Sequence, residues 1–152
     1  METMKTIWHL RTRAVVYKDG KFLAVQAQSE KHGHWSFLPG GHVEEGESIP
    51  IALEREMLEE SGRACEVGEY LGAVEQSWIS DEVKHWEVTH LFHVIIPDLE
   101  TNPEVVPAEE GFDFIWIAPN EFEQFNFLPK VQRGLMVEWV NGDKKTWWAS
   151  GI

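Results

Sequence analysis

The stretch that most constrains this chain is Pro39-Gly40-Gly41, followed by a capped helix on which glutamates crowd one turn. Ser48 has the side chain of an N-cap, and Pro50 falls in the first turn, where a missing N–H costs nothing. Gly62 supplies a left-handed stop. At ~100° per residue, Glu56, Glu59 and Glu60 fall within roughly a 100° arc. Leu53 and Met57 flank that arc on one side, while Ile51 and Leu58 point away from it. Carboxylates this close repel one another unless a cation sits among them. A solvated acidic helix face is the plain alternative, and it leaves the glycine loop and the ordered spacing unexplained.

Gly41, five residues, Glu47, seven residues, then Arg55-Glu56-Met57-Leu58-Glu59-Glu60-Ser61-Gly62 resembles the signature of the Nudix (MutT-like) hydrolases. The resemblance implies an α+β fold, an α/β/α sandwich with a mixed β-sheet between helices. It implies hydrolysis of the P–O–P linkage in a nucleoside diphosphate joined to another moiety. It assigns Glu56, Glu59 and Glu60 as metal-binding, catalytic carboxylates, with the Gly40 carbonyl as a further ligand. Mg²⁺ is the implied cofactor and Mn²⁺ its substitute; oxygen donors suit both, whereas a His/Cys set would not. Gly41, Glu47 and Arg55 organise the loop in such proteins. The general base varies in the family between a helix glutamate and an acid on a later loop, where Glu109 and Glu110 are the candidates. Arg63 stands where the family usually has an aliphatic residue, which touches packing more than chemistry. A silent Nudix-like domain that binds a nucleotide without hydrolysis is the alternative function; decay of the glutamates would favour it, and here they are intact.

The remaining sequence reads as one domain, residues 1–152. Its formal net charge of −13 disfavours long nucleic acid as a partner, because phosphate attraction needs Lys/Arg patches. A small nucleotide derivative remains suitable, since divalent cations invert the local field. Cys65 is the single cysteine, so no intramolecular disulfide forms. No apolar run reaches membrane-spanning length, and the N-terminal residues lack a signal peptide's apolar region, so a cytoplasmic enzyme is expected. Eight tryptophans leave room for a homodimer interface.

In chain order, Ala14–Tyr17 and Phe22–Val25 predict a hairpin around Asp19-Gly20. Residues 28–34 read as a loop and Trp35–Leu38 as a short strand leading into the glycines. Val67–Trp78 predicts a strand bulged at its glycines, and residues 79–84 a connector. From Trp86 to Val94 the alternation predicts a strand whose apolar face carries Trp86, Val88, His90, Phe92 and Val94. Residues 97–111 read as a long surface loop, 112–117 as a strand, and 119–122 as the opening of a short helix. Leu128–Val140 predicts a last helix with Val131, Leu135 and Trp139 on its core stripe. Trp147-Trp148 are expected to pack back on the domain or on a partner.

Trp35, Phe37 and Trp86 are the candidates for stacking a base, and His42 for touching substrate from within the signature. His90 and His93 face opposite sides of a strand and cannot share a metal, while His32 and His34 flank Gly33 in a loop.

Overall fold

The computed structural model describes residues 3–152. Met1 and Glu2, part of the N-terminal stretch weighed above as a leader, lie outside the described residues. The chain runs β1 Thr6–Val15, β2 Tyr17–Lys18, β3 Lys21–Ser29, β4 Gly33–Phe37, β5 Gly40–His42, α1 Ile49–Ser61, β6 Glu66–Ser80, β7 Val83–Ile95, β8 Asp113–Ile117, α2 Arg133–Val140 and β9 Trp147–Ser150. A five-stranded mixed sheet has the order β5-β1-β7-β6-β9. Its β1–β7 and β6–β9 contacts are parallel, while β1–β5 and β6–β7 are antiparallel. In the second sheet β3 takes β2, β4 and β8 as antiparallel partners.

Helices on both sides of the sheets leave the short apolar runs Ala14–Val16 and Phe22–Val25 buried on both faces. In β1, Ala14 joins a cluster with Leu53, Met57 and Phe92 under α1. Its neighbour Val15 joins another with Phe22, Leu91, Phe127 and Met136 toward α2. Each fully buried Leu or Met contributes about 1.5–3 kcal/mol, so Leu53 and Met57 fix how α1 sits. This is the α+β, α/β/α sandwich expected, with a second antiparallel sheet added to the mixed one.

Several boundaries differ from the sequence reading. β1 begins at Thr6, well ahead of the hairpin, because residues 6–15 pair in parallel with β7 over its length. The 28–34 loop shrinks to residues 30–32, since β3 and β4 extend toward each other by backbone pairing from Val25↔Phe37 to Ser29↔Gly33. The 79–84 connector tightens to a turn at Asp81 and Glu82, both at positive φ. The bulge in β6 lies between Val67 and Gly72. The last helix starts at Arg133, after a 3-10 turn over Lys130–Gln132. Leu135 is buried and Trp139 packs against the same core as expected; Gln132 and Met136 are buried too, while Val131, in the turn ahead of the helix, is exposed. Trp147 and Trp148 split as strand neighbours must, the first in the core and the second outside. Among the described residues no helix is long and apolar enough to cross a membrane.

Candidate functional site

The helix caps follow the chemistry of their residues. Ser48 is extended (φ −72°, ψ 157°) and accepts from the Ile51 N–H, while Gly62 is left-handed (φ 69°) and donates to the Leu58 carbonyl. Ile51 and Leu58 are exposed and Leu53 and Met57 buried, so the acidic arc has the orientation its spacing implies. Gly40 has φ 142° and lies directly on the backbone of Thr12 and Arg13, where a side chain has no room. A Cβ on Gly41 would stand 2.5 Å from the carboxylate carbon of Glu56. These glycines let the loop lie flat against both β1 and the acidic face of α1.

Arg55 ties loop and helix together. It grips Glu47 through two bonds, Nε to Oε2 at 3.0 Å and Nη2 to Oε1 at 2.6 Å. Nη2 also donates to the His42 carbonyl at 3.0 Å. Nη1 reaches Glu56 Oε1 at 3.0 Å and Glu59 at 3.4 Å. The Arg55 bonds, aided by the Glu44 N–H, hold the Glu47 carboxyl at about 2. Glu60 is different. It is buried, and its Oε1 accepts from the Gly40 N–H at 3.1 Å. Burial pushes its carboxyl up to about 7, and the Glu56 and Glu109 charges push the same way against Arg13 and Gly40.

The structure therefore brings Glu56, Glu59 and Glu60 onto one face without closing them into a cage. Among the described residues no three acidic, His or Cys side chains converge around one point. The donor set nonetheless fits a hard divalent cation. Mg²⁺ keeps several waters and takes only one or two carboxylates, completing its shell with substrate phosphate. Glu60 is an acid buried among acids, whose ionised form a cation would stabilise. Glu56, Glu60 and, more exposed, Glu59 could hold such an ion beside the Gly40 backbone.

The late loop docks on the end of α1. The Ala108 N–H donates to the Glu60 carbonyl at 2.7 Å. Arg63 fastens the same loop, donating to the carbonyls of Asn102 (2.6 Å) and Glu104 and lying 3.4 Å from Asp98. The unusual residue after Gly62 is thus a loop clamp. Glu109 and Glu110 are both exposed. The Glu109 charge is one of those that raise the Glu60 carboxyl.

Beside this face opens a cavity of about 590 Å³, with Gly40 in its wall. Trp35 and Phe37 line it, as their expected base-stacking role requires. Trp86 does not: it sits on the opposite face of β7 and stacks on Trp8 at 5.0 Å, because the strand's period turns Glu87 and Thr89 inward. The β7 face that reads as more polar is consequently the more buried over this stretch, with Glu87 and Thr89 shielded and Trp86, Val88 and His90 half-exposed. His42 is outside the cavity lining; its Nε2 lies 3.0 Å from His9 Nδ1, and His9 Nε2 is 2.8 Å from His85 Nδ1. His90 meets the Tyr70 hydroxyl at 2.9 Å, on the other face of β7 from His93, which packs on Trp139.

The sequence reading misses the polar lining: Arg11 and Arg13 from β1, Gln76 from β6 and Glu87 from β7. A signal exists, since Trp8-His9-Leu10-Arg11-Thr12-Arg13 alternates with period two and puts both arginines on one face. Arg13 donates to the Leu38 carbonyl at 2.8 Å and lies over the Phe37 ring at 4.9 Å.

The sequence pattern of the NUDIX domain matches residues 8–139. The chain belongs to the Nudix family. Relatives of this Nudix hydrolase include the CTP pyrophosphohydrolase of Escherichia coli strain K12, 38% identical over 118 residues, spanning 76% of this chain and 80% of the relative. The nucleoside triphosphatase NudI of Escherichia fergusonii is 28% identical over 134 residues, spanning 82% of this chain and 92% of that one. Among solved structures, a NUDIX hydrolase from Nitrosomonas europaea superposes with a TM-score of 0.65 at 21% identity, over 91% of this chain and 92% of its own, a likeness of fold.

Proposed function

We infer that this Nudix hydrolase is a Mg²⁺-dependent pyrophosphohydrolase of a nucleoside diphosphate linked to a further moiety, nucleoside triphosphates first among them. The observation that carries the reading is Gly40, which belongs to the cavity wall and also bonds Glu60 on the acidic helix. A nucleotide whose base enters the cavity lays its phosphates along that helix. A bound divalent cation neutralises phosphate charge and makes water a better nucleophile. Arg13 stands between cavity and carboxylates, where it can pair with a phosphate oxygen, and Trp35 and Phe37 offer aromatic faces to the base. Glu47 and Arg55 keep the loop in register with the helix. Hydrolysis adds water across one P–O–P bridge: one phosphorus gains the hydroxyl, and the other leaves with the bridging oxygen. Glu109, or a helix glutamate, takes the proton. The E. coli relative's name makes CTP the first substrate to try, with CMP and pyrophosphate as products.

A panel of nucleoside triphosphates, ADP-ribose, dinucleoside polyphosphates and nucleotide sugars, assayed with Mg²⁺ and with Mn²⁺ for phosphate and pyrophosphate release, tests this. Release from at least one compound, lost on adding chelator, is the expected result. Release from none above the metal-free background overturns it.

A further inference from the structure

The cavity holds a polar set that phosphate chemistry does not use. Glu87 projects from β7 with its side chain 5% exposed, and Arg11 lies beside it on the neighbouring strand β1. Arg11 Nε is 2.6 Å from Glu87 Oε1 but is not aligned on it as a hydrogen bond. It is a buried donor without a hydrogen-bond partner among the described residues. Gln76, across from Glu87 on β6, donates its Nε2 to Glu87 Oε2 at 2.8 Å.

Burying a carboxylate against a guanidinium gives little net stability over well-packed apolar residues, so stability does not account for the set. Phosphate is also excluded as its ligand, because a buried Glu87 repels it. The phosphates therefore lie toward Arg13, whose strand partner is Gly40, and the base lies toward Glu87. A ligand edge that suits Glu87 and Arg11 together presents an N–H donor to the carboxylate and, next to it, an acceptor to the guanidinium. Cytosine has that edge, with its 4-amino group beside N3 and O2. Held in the same placement by its ribose and phosphates, uracil puts the O4 acceptor against the carboxylate and N3–H against the guanidinium. Its own donor–acceptor pair, N3–H beside O4, meets Glu87 and Arg11 only if the base slides by one atom. Adenine carries the same amino and ring-nitrogen pair on a larger base, so the decisive comparison is cytosine against uracil, which differ only along this edge.

We propose that Glu87 and Arg11, with Gln76 holding the carboxylate in place, form a base-reading site that selects a nucleotide with an amino group on its pairing edge, cytosine over uracil. The inference rests on the functional reading above, in that the cavity receives the base.

The test is equilibrium binding of CMP and of UMP to the metal-free protein, by calorimetry, so that hydrolysis plays no part. Wild type binds CMP at least about fivefold more tightly than UMP, the range set by one well-placed pair of base contacts. Glu87→Gln, whose amide can donate to O4, brings the ratio to about one or reverses it. A purely structural Glu87 would weaken both ligands equally and leave the ratio alone. A wild-type ratio below about fivefold, failure of both ligands to bind, or a folded Glu87→Gln protein with the wild-type ratio overturns the proposal. If Glu87→Gln does not fold, Gln76→Leu replaces it: freeing Oε2 narrows the ratio, and an unchanged ratio counts against the site. Equal binding alongside triphosphate hydrolysis defeats the base reading only. A clear CMP preference without turnover of any nucleotide defeats the functional reading and leaves base selection standing.

Discussion

Gly40 donates its backbone N–H to Glu60 Oε1 at 3.1 Å, joining the wall of the cavity to the buried end of the acidic helix. A strand paired to Arg13 and a helix seated by Leu53 and Met57 hold the two ends of that bond, so it is a fixed relation. The proposed chemistry depends on it.

Burial of Glu60 makes stability depend on pH with an unusual sign. Its carboxyl sits at about 7 in the folded protein against 4.5 ordinarily, so the folded state binds the proton more readily than the unfolded one. The metal-free protein therefore loses stability as pH rises between those values and is level above them. Glu60→Gln removes that loss. It should raise the metal-free protein's stability at pH 8 by on the order of 1–3 kcal/mol and flatten the profile. Urea melts at several pH values without metal check this; an unaltered slope counts against it.

Turnover should answer to the helix carboxylates. Glu59→Gln and Glu60→Gln are each expected to lower Mg²⁺-dependent turnover by about a hundredfold or more, since on the proposed function each would remove an oxygen ligand from a bound cation. Circular dichroism should show the fold unchanged. Near wild-type activity in either variant would remove that residue from the metal site.

Gly41→Ala separates geometry from charge. The new methyl would stand 2.5 Å from the Glu56 carboxylate carbon, while Arg55 holds Glu56 Oε1 from the other side at 3.0 Å. The carboxylate must shift. Expected are a loss of about 1–3 kcal/mol in stability from overpacking and a weaker apparent affinity for Mn²⁺. Metal titration of the folded variant decides the point, and unchanged affinity would show that Glu56 does not bind the ion.

The two late-loop acids should differ. Glu109→Gln is expected to lower turnover and move the acid limb of its pH profile, whereas Glu110→Gln should stay within a few-fold of wild type, because the Glu109 charge is one of those that raise the Glu60 carboxyl. Equal, small effects from both would place the general base on the helix.

The loop and helix are legible in the sequence because their contacts are local. Ser48, Pro50 and Gly62 act through bonds within a turn, and the glutamate arc follows from helix geometry. Arg63 is visible there as a departure but not as a clamp, since its partners are carbonyls of a loop far along the chain. Trp86 looks equivalent to Trp35 as an aromatic. Which of them enters the cavity depends on strand facing, and Trp86 turns to the side where Trp8 covers it.

By itself, then, the sequence determined the family, the α+β class and the acidic loop–helix face, all matters of short-range spacing and capping. Tertiary structure decided the cavity. Parallel pairing of β1 with β7 sets Arg11 beside Glu87, and the β6–β7 hairpin sets Gln76 opposite it. Register is a long-range property: a one-residue slip in either pairing would carry these side chains to the far face of the sheet.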